Sequence, residues 1–156
     1  MRRNSIEELK RWRDDPERKP MVLRGARQVG KTWLMKEFGR TCYENYVYFN
    51  FDEEEELKSV FSVNKNPARI IELLSMLSGS KILPGKTLII FDEIQECPEA
   101  LNSLKYFREN ANEYHVISAG SLLGTLLAKP KSYPVGMVNL LHISPLTFDE
   151  FLDATD

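Results

Sequence analysis

The sequence predicts a three-layer α/β fold, a five-stranded parallel sheet with helices on both faces. Three observations predict it. Segments with strand-type and helix-type patterning alternate along the chain, the order that a parallel sheet requires. One strand, Thr87–Phe91, is a continuous apolar run, as expected where both faces are buried. A glycine-containing turn, Gly25 to Thr32, joins the first strand to the helix after it.

The elements follow in order. Ser5 to Trp12 reads as a solvated helix of mixed charge, within a lead-in over residues 1–18. Met21–Arg24 is a short strand. Trp33–Phe38 is helical, with Gly39 placed to end it. Tyr46–Phe51 is dense in aromatic and β-branched residues and reads as the second strand. The acidic run Asp52–Glu56 reads as the first turn of a solvated helix, where the helix dipole favours carboxylates; a carboxylate metal site is the alternative. Between Pro67 and Leu77, the spacing of Ile70, Leu73, Leu74 and Leu77 predicts a helix with one buried face. Gly79 closes it, and Pro84-Gly85 marks a turn. After the third strand, Pro98 opens a helix continued by Leu101, Leu104, Phe107, Arg108 and Ala111. Tyr114–Ala119 is a fourth strand, Ser121–Leu127 a helix and Met137–Ile143 a fifth strand. Thr147–Leu152 begins another helix.

The turn itself is Gly25-Ala-Arg-Gln-Val-Gly-Lys-Thr32, two glycines five apart followed by Lys and Thr. In a strand–loop–helix setting this is the phosphate-binding loop pattern. The glycines permit torsions that other residues resist. The N–H groups of Gln28, Val29, Gly30, Lys31, Thr32 and Trp33 can then converge on phosphate oxygens. The first helical amides have no partner within the helix, and the dipole is positive at that end. Lys31 would bridge the β- and γ-phosphates, and the Thr32 hydroxyl would ligate Mg²⁺.

Leu88-Ile-Ile-Phe-Asp-Glu93 is an apolar strand ending in two carboxylates, the Walker B pattern. Asp92 would hold Mg²⁺ through its water shell, because that ion dehydrates reluctantly. Glu93 would orient and polarise an attacking water. The bland alternative is an acidic strand-to-loop turn. Ser121, after the fourth strand, reads as a sensor of the γ-phosphate or as a cap of the following helix. Gln95 positions water or makes a loop hydrogen bond. Trp12 and Trp33 read as packing residues, Trp33 with a place near the nucleotide. His115 and His142 read as structural.

At 156 residues and 42% hydrophobic composition, the chain reads as one domain able to bury a core. The net charge of −2 hides an uneven distribution: residues 1–40 hold twelve Lys/Arg against six Asp/Glu. That basic end suits an anionic ligand; a nucleic-acid face is the alternative to a solvated helix. The first residues lack the apolar core of a signal peptide. No window approaches the roughly 18 apolar residues of a membrane span. Cys42 and Cys97 are too few and too far apart for a metal or disulfide framework, so a reduced, cytoplasmic setting is expected.

Together these stretches resemble a family of prokaryotic AAA-superfamily ATPases. The resemblance is carried by residues 19–32, Leu88-Ile-Ile-Phe-Asp-Glu-Ile-Gln95, Ala119-Gly-Ser121 and Pro145-Leu-Thr-Phe-Asp-Glu-Phe-Leu152. It covers nearly the whole chain. It implies a P-loop NTPase sheet of order 5-1-4-3-2, with the Ser121 strand inserted between the P-loop and Walker B strands. It also implies ATP and Mg²⁺ as ligands and hydrolysis to ADP and phosphate. The Asp-Glu pair favours a hydrolase of this class over a kinase or GTPase, and no Asn-Lys-x-Asp guanine motif occurs.

Two departures stand out. Relatives are longer, with helical and effector regions after the core, so residues 1–156 read as an isolated ATPase core. No arginine follows Arg108, and relatives carry Lys or Arg near the position of Met137. An arginine finger is then expected from another subunit of an oligomer or from further sequence; Arg108 is a weaker candidate than a plain helix-surface residue. The leading expectation is an ATPase. A nucleotide-dependent switch with little hydrolysis is the second reading and a small-molecule kinase a disfavoured third. The expected effector is a protein or a nucleic acid, with no membrane partner.

Overall fold

The computed structural model describes residues 3–25, 30–120 and 136–144. Helix α1 spans Arg3–Asp14, strand β1 Met21–Arg24 and helix α2 Lys31–Cys42. Strand β2 (Asn45–Asn50) leads to α3 (Glu56–Val63) and α4 (Pro67–Ser78). Strand β3 (Thr87–Asp92), a 3₁₀ turn at Ile94–Glu96 and α5 (Pro98–Asn110) follow, then β4 (His115–Gly120) and β5 (Asn139–His142). The five strands pair in the order β2-β3-β4-β1-β5, all parallel. Read from the other edge this is 5-1-4-3-2, with β4 between β1 and β3 as expected.

Strand side chains alternate between faces, and the core divides accordingly. Val22, Phe49, Ile89, Phe91 and Val116 join Leu57, Phe61, Ile70, Leu74, Leu104 and Phe107 of α3, α4 and α5. Leu23, Leu88, Ile90, Ile117 and Ala119 join Leu9 and Trp12 of α1 and Leu34, Met35 and Phe38 of α2. Every residue of β3 is buried, which its unbroken apolar run anticipated. The start of α4 at Pro67 and its end at Gly79 are as expected, and Asn66 adds a cap that sequence reasoning missed. The Asn66 side chain accepts from the Ala68 N–H, Pro67 sits in the first turn, and Gly79 ends the helix at φ 70°.

Two expectations change. Gly39 does not end α2, which continues to Cys42. A Cβ at Gly39 would stand 2.8 Å from the Cβ of Tyr46, so the glycine serves close approach of α2 to β2. The acidic run is not a helical first turn: residues 52–55 form turns ahead of α3, and only Glu56 lies in that turn. Nor is α3 wholly solvated, since Leu57, Val60 and Phe61 are buried and Phe61 meets Phe51 and Phe91 edge-on. The metal-site alternative for this run gains no support: among the described residues no group of three His, Cys, Asp or Glu side chains could hold a metal ion. The expected helices at 121–127 and 147–152 lie outside the described residues. None of the described helices is long and apolar enough to cross a membrane.

Candidate nucleotide site

The carboxyl ends of β1 and β3 bring two sequence-distant motifs together. Gly30 opens α2 in the left-handed region, φ 89°, which glycine tolerates best. Lys31 is buried and its Nζ donates to the Gly25 carbonyl at 2.9 Å. Its ammonium is thus folded back onto the carbonyl that follows β1. Thr32 is exposed, and its hydroxyl donates to Asp92 Oδ2 at 2.5 Å across sixty residues of chain. Asp92 ends β3 and is only 3% exposed, so its charge needs these donors. The Glu93 N–H donates to Oδ1 at 3.0 Å.

Glu93 has φ 53° and ψ 44°, the one non-glycine residue with positive φ among those described. A left-handed glutamate costs about 1–2 kcal/mol, and such strain concentrates at functional positions. Thr32 and Asp92 form a hard-oxygen pair with the donor chemistry that Mg²⁺ requires. The arrangement can therefore accept an anion at the start of α2 and a hydrated divalent cation beside it.

Sequence reasoning missed two members of this cluster. The Tyr48 hydroxyl donates to Asp92 Oδ2 at 2.6 Å and receives Asn50 Nδ2 at 3.3 Å. Burial, and then the hydrogen bond to Asp92, hold the phenol pKa well above the ordinary tyrosine value, so it remains a donor. Lys36, one helical turn after Thr32, places its ammonium 4.0 Å from the centre of the Tyr48 ring. The available signal was register. Tyr48 pairs with Ile90 and Asn50 with Asp92, so alternation puts all four on the α2 side of the sheet.

The other expected residues divide. Gln28, Val29 and Ser121 lie outside the described residues. Trp33 is exposed beside the loop rather than packed, while Trp12 is a core residue whose Nε1 donates to the Lys19 carbonyl at 2.6 Å. The expected loop hydrogen bond of Gln95 is not found: both amide atoms are buried without a partner among the described residues. Arg108 stands near Arg18, whose pKa is lowered by burial and then by that charge. Arg18 lies just before β1, at the amino end of the sheet, so Arg108 is at the end opposite Lys31 and Asp92. His115 is packed against Trp12 and Tyr43, and His142 is exposed on β5.

An acid-ended strand beside the start of α2, at the carboxyl edge of a 5-1-4-3-2 sheet, fits the class that the family match shows: a P-loop ATPase core of the AAA superfamily. The chain belongs to the AAA domain family, whose match covers residues 17–152. It is similar in fold to a chain of the Drosophila ORC bound to DNA, at 18% identity and a TM-score of 0.63. That match covers 97% of this chain and 44% of the other. It is likewise similar to the Aeropyrum pernix ORC1 protein in complex with DNA, at 18% identity, a TM-score of 0.58 and coverage of 97% and 46%. The chain thus spans less than half the length of these two relatives. No curated protein matches it.

Proposed function

We propose that this chain is the nucleotide-binding core of a Mg²⁺-dependent ATPase that cleaves the β–γ bond of ATP by attack of water. The observation that carries the reading is the 2.5 Å contact of Thr32 with Asp92, which couples the loop to the acid-ended strand at one place. Lys31 would leave the Gly25 carbonyl for the β- and γ-phosphates. The loop amides from Gln28 to Trp33 would hold the remaining phosphate oxygens. Thr32 would ligate Mg²⁺ and Asp92 would hold its waters; when bound, the ion neutralises charge on the phosphates. Glu93 would orient the attacking water and take its proton. Ser121 would report the γ-phosphate.

ATP is favoured over GTP by the family and by the lack of a guanine motif. One feature supports the second reading, a nucleotide switch with little hydrolysis. The sequence holds no arginine after Arg108, and Arg108 sits at the far end of the sheet. The stimulating arginine would then come from a second subunit or from another part of the whole protein. The effector is a protein or a nucleic acid, and the setting cytoplasmic.

The test is Mg-ATP turnover by the whole protein beside Glu93→Gln. A fall of about 100-fold or more is expected where a general base is removed. Equal rates would remove Glu93 from the chemistry. Tight ATP binding without turnover in wild type would select the switch, and phosphate transferred to an added acceptor would select a kinase.

A further inference from the structure

Asp92 is held by more than its two motif neighbours. A carboxylate offers about four acceptor positions, two on each oxygen. Oδ2 receives the hydroxyls of Thr32 at 2.5 Å and Tyr48 at 2.6 Å. Oδ1 receives the Glu93 N–H at 3.0 Å. Among the described residues this fills three positions and leaves the fourth on Oδ1.

We propose that Tyr48 is a positioning residue for the metal: its hydroxyl fixes the Asp92 carboxylate so that Oδ1 faces the water shell of Mg²⁺ while Oδ2 stays bound to Thr32. The inference rests on the nucleotide site proposed above. Tyr48 is itself held on three sides. Asn50 donates to its oxygen at 3.3 Å, β2 pairs with β3 in fixed register, and the Lys36 ammonium stands 4.0 Å over its ring. The ring is therefore not free to swing the hydroxyl away. Without that donor, Asp92 keeps Thr32 and Glu93, but Oδ2 has a vacant acceptor position and the carboxylate can turn. The metal then meets a carboxylate that must be ordered on binding, which lowers affinity for Mg²⁺ and leaves the metal-free phosphate contacts of the loop alone.

Tyr48→Phe separates these effects because it keeps the ring, the Lys36 contact and the packing. Binding of a fluorescent ATP analogue is titrated with and without Mg²⁺, on the whole protein, with thermal unfolding as the check on folding. The Mg²⁺ concentration giving half the metal-dependent gain in affinity should rise roughly tenfold, the usual worth of a hydrogen bond to a charged group. Affinity in EDTA should stay within about twofold, since no loop contact changes. A merely structural tyrosine would lower the unfolding temperature and leave the Mg²⁺ midpoint in place. An unchanged or lowered midpoint overturns the proposal. Asn50→Ala, which removes a donor to the tyrosine oxygen, should shift the midpoint the same way by less; it decides the matter if the Phe variant does not fold. Wild-type protein that binds the analogue with no Mg²⁺ dependence overturns both this inference and the site it rests on. Wild-type dependence with an unshifted Phe variant overturns this inference alone.

Discussion

The two ends of the same sheet use polar groups in opposite ways. At the carboxyl end, Thr32 and Tyr48 both donate to Asp92, Lys31 donates to Gly25 at the end of β1, and Thr32 is exposed. At the amino end, polar groups close on each other. Arg18 Nη2 donates to the Asn112 carbonyl at 2.5 Å and Asn112 Nδ2 returns a bond to the Arg18 carbonyl at 2.8 Å. Trp12 donates to Lys19, and Tyr43 and His115 share a hydrogen bond of 2.6 Å. Trp12, Phe38, Tyr43 and His115 stack as tilted or edge-on rings. The difference teaches that burial of charge alone does not mark a ligand site. The carboxyl end differs in that its buried charge, Asp92, is bonded to the exposed hydroxyl of Thr32 at the start of a helix, where a solute can reach it.

A pair of substitutions, one at each end of the sheet, separates the two sets of groups. Trp12→Ala removes a 6%-exposed indole from the α1–sheet contact and should cost about 3–5 kcal/mol of stability. Affinity for Mg-ATP, measured well below the new unfolding temperature, should be unchanged. Lys31→Ala should do the reverse. Loss of its charge-assisted bonds to phosphate should weaken ATP binding on the order of 100-fold, with stability in the absence of nucleotide little changed. Denaturant unfolding and a binding titration on both variants check this. If Trp12→Ala weakens ATP binding as much as Lys31→Ala does, the two ends are not separate.

Much of this was legible because the signals were local. A complete loop motif, an apolar run ending in Asp92-Glu93, and Pro67 and Gly79 at the ends of α4 each carry their reason within a few residues. The sheet order came with the family resemblance, not with periodicity. What stayed hidden depends on partners far along the chain. Tyr48 sits in an aromatic run that reads as packing, and only pairing of β2 with β3 turns it toward Asp92. Gly39 near a helix end looks like a terminator until Tyr46 is found against it. Arg108 could be placed only once α5 was seen to end beside Arg18.

Gly39→Ala probes the seam between the two ends. Alanine gains up to about 1 kcal/mol in helix propensity. Against this, its Cβ would lie 2.8 Å from the Tyr46 Cβ, the root of that side chain rather than a flexible tip. Overpacking of this kind costs about 1–3 kcal/mol, so strain wins and a net loss near 1 kcal/mol is expected by urea unfolding. A stabilised variant would return Gly39 to the role of an ordinary helix residue.

The smallest effect is a pH dependence belonging to the amino end alone. Burial first, then the charges of Arg18 and Arg13, lower the His115 pKa to about 4, while Asp14 opposes weakly. Tyr43, the hydrogen-bond partner, is held neutral by burial. The unfolded chain binds the proton near the ordinary value of about 6.5, before the folded chain does. Protonation therefore favours unfolding, and stability should fall as pH drops from about 6.5 toward 4, with no contribution from this group above that window. Between pH 7 and 5.5 most carboxylates stay ionised, so the slope of the urea midpoint there reports chiefly on histidine. His115→Gln should flatten the slope, and Lys31→Ala should leave it intact. A slope that survives the glutamine variant would place the titrating group elsewhere.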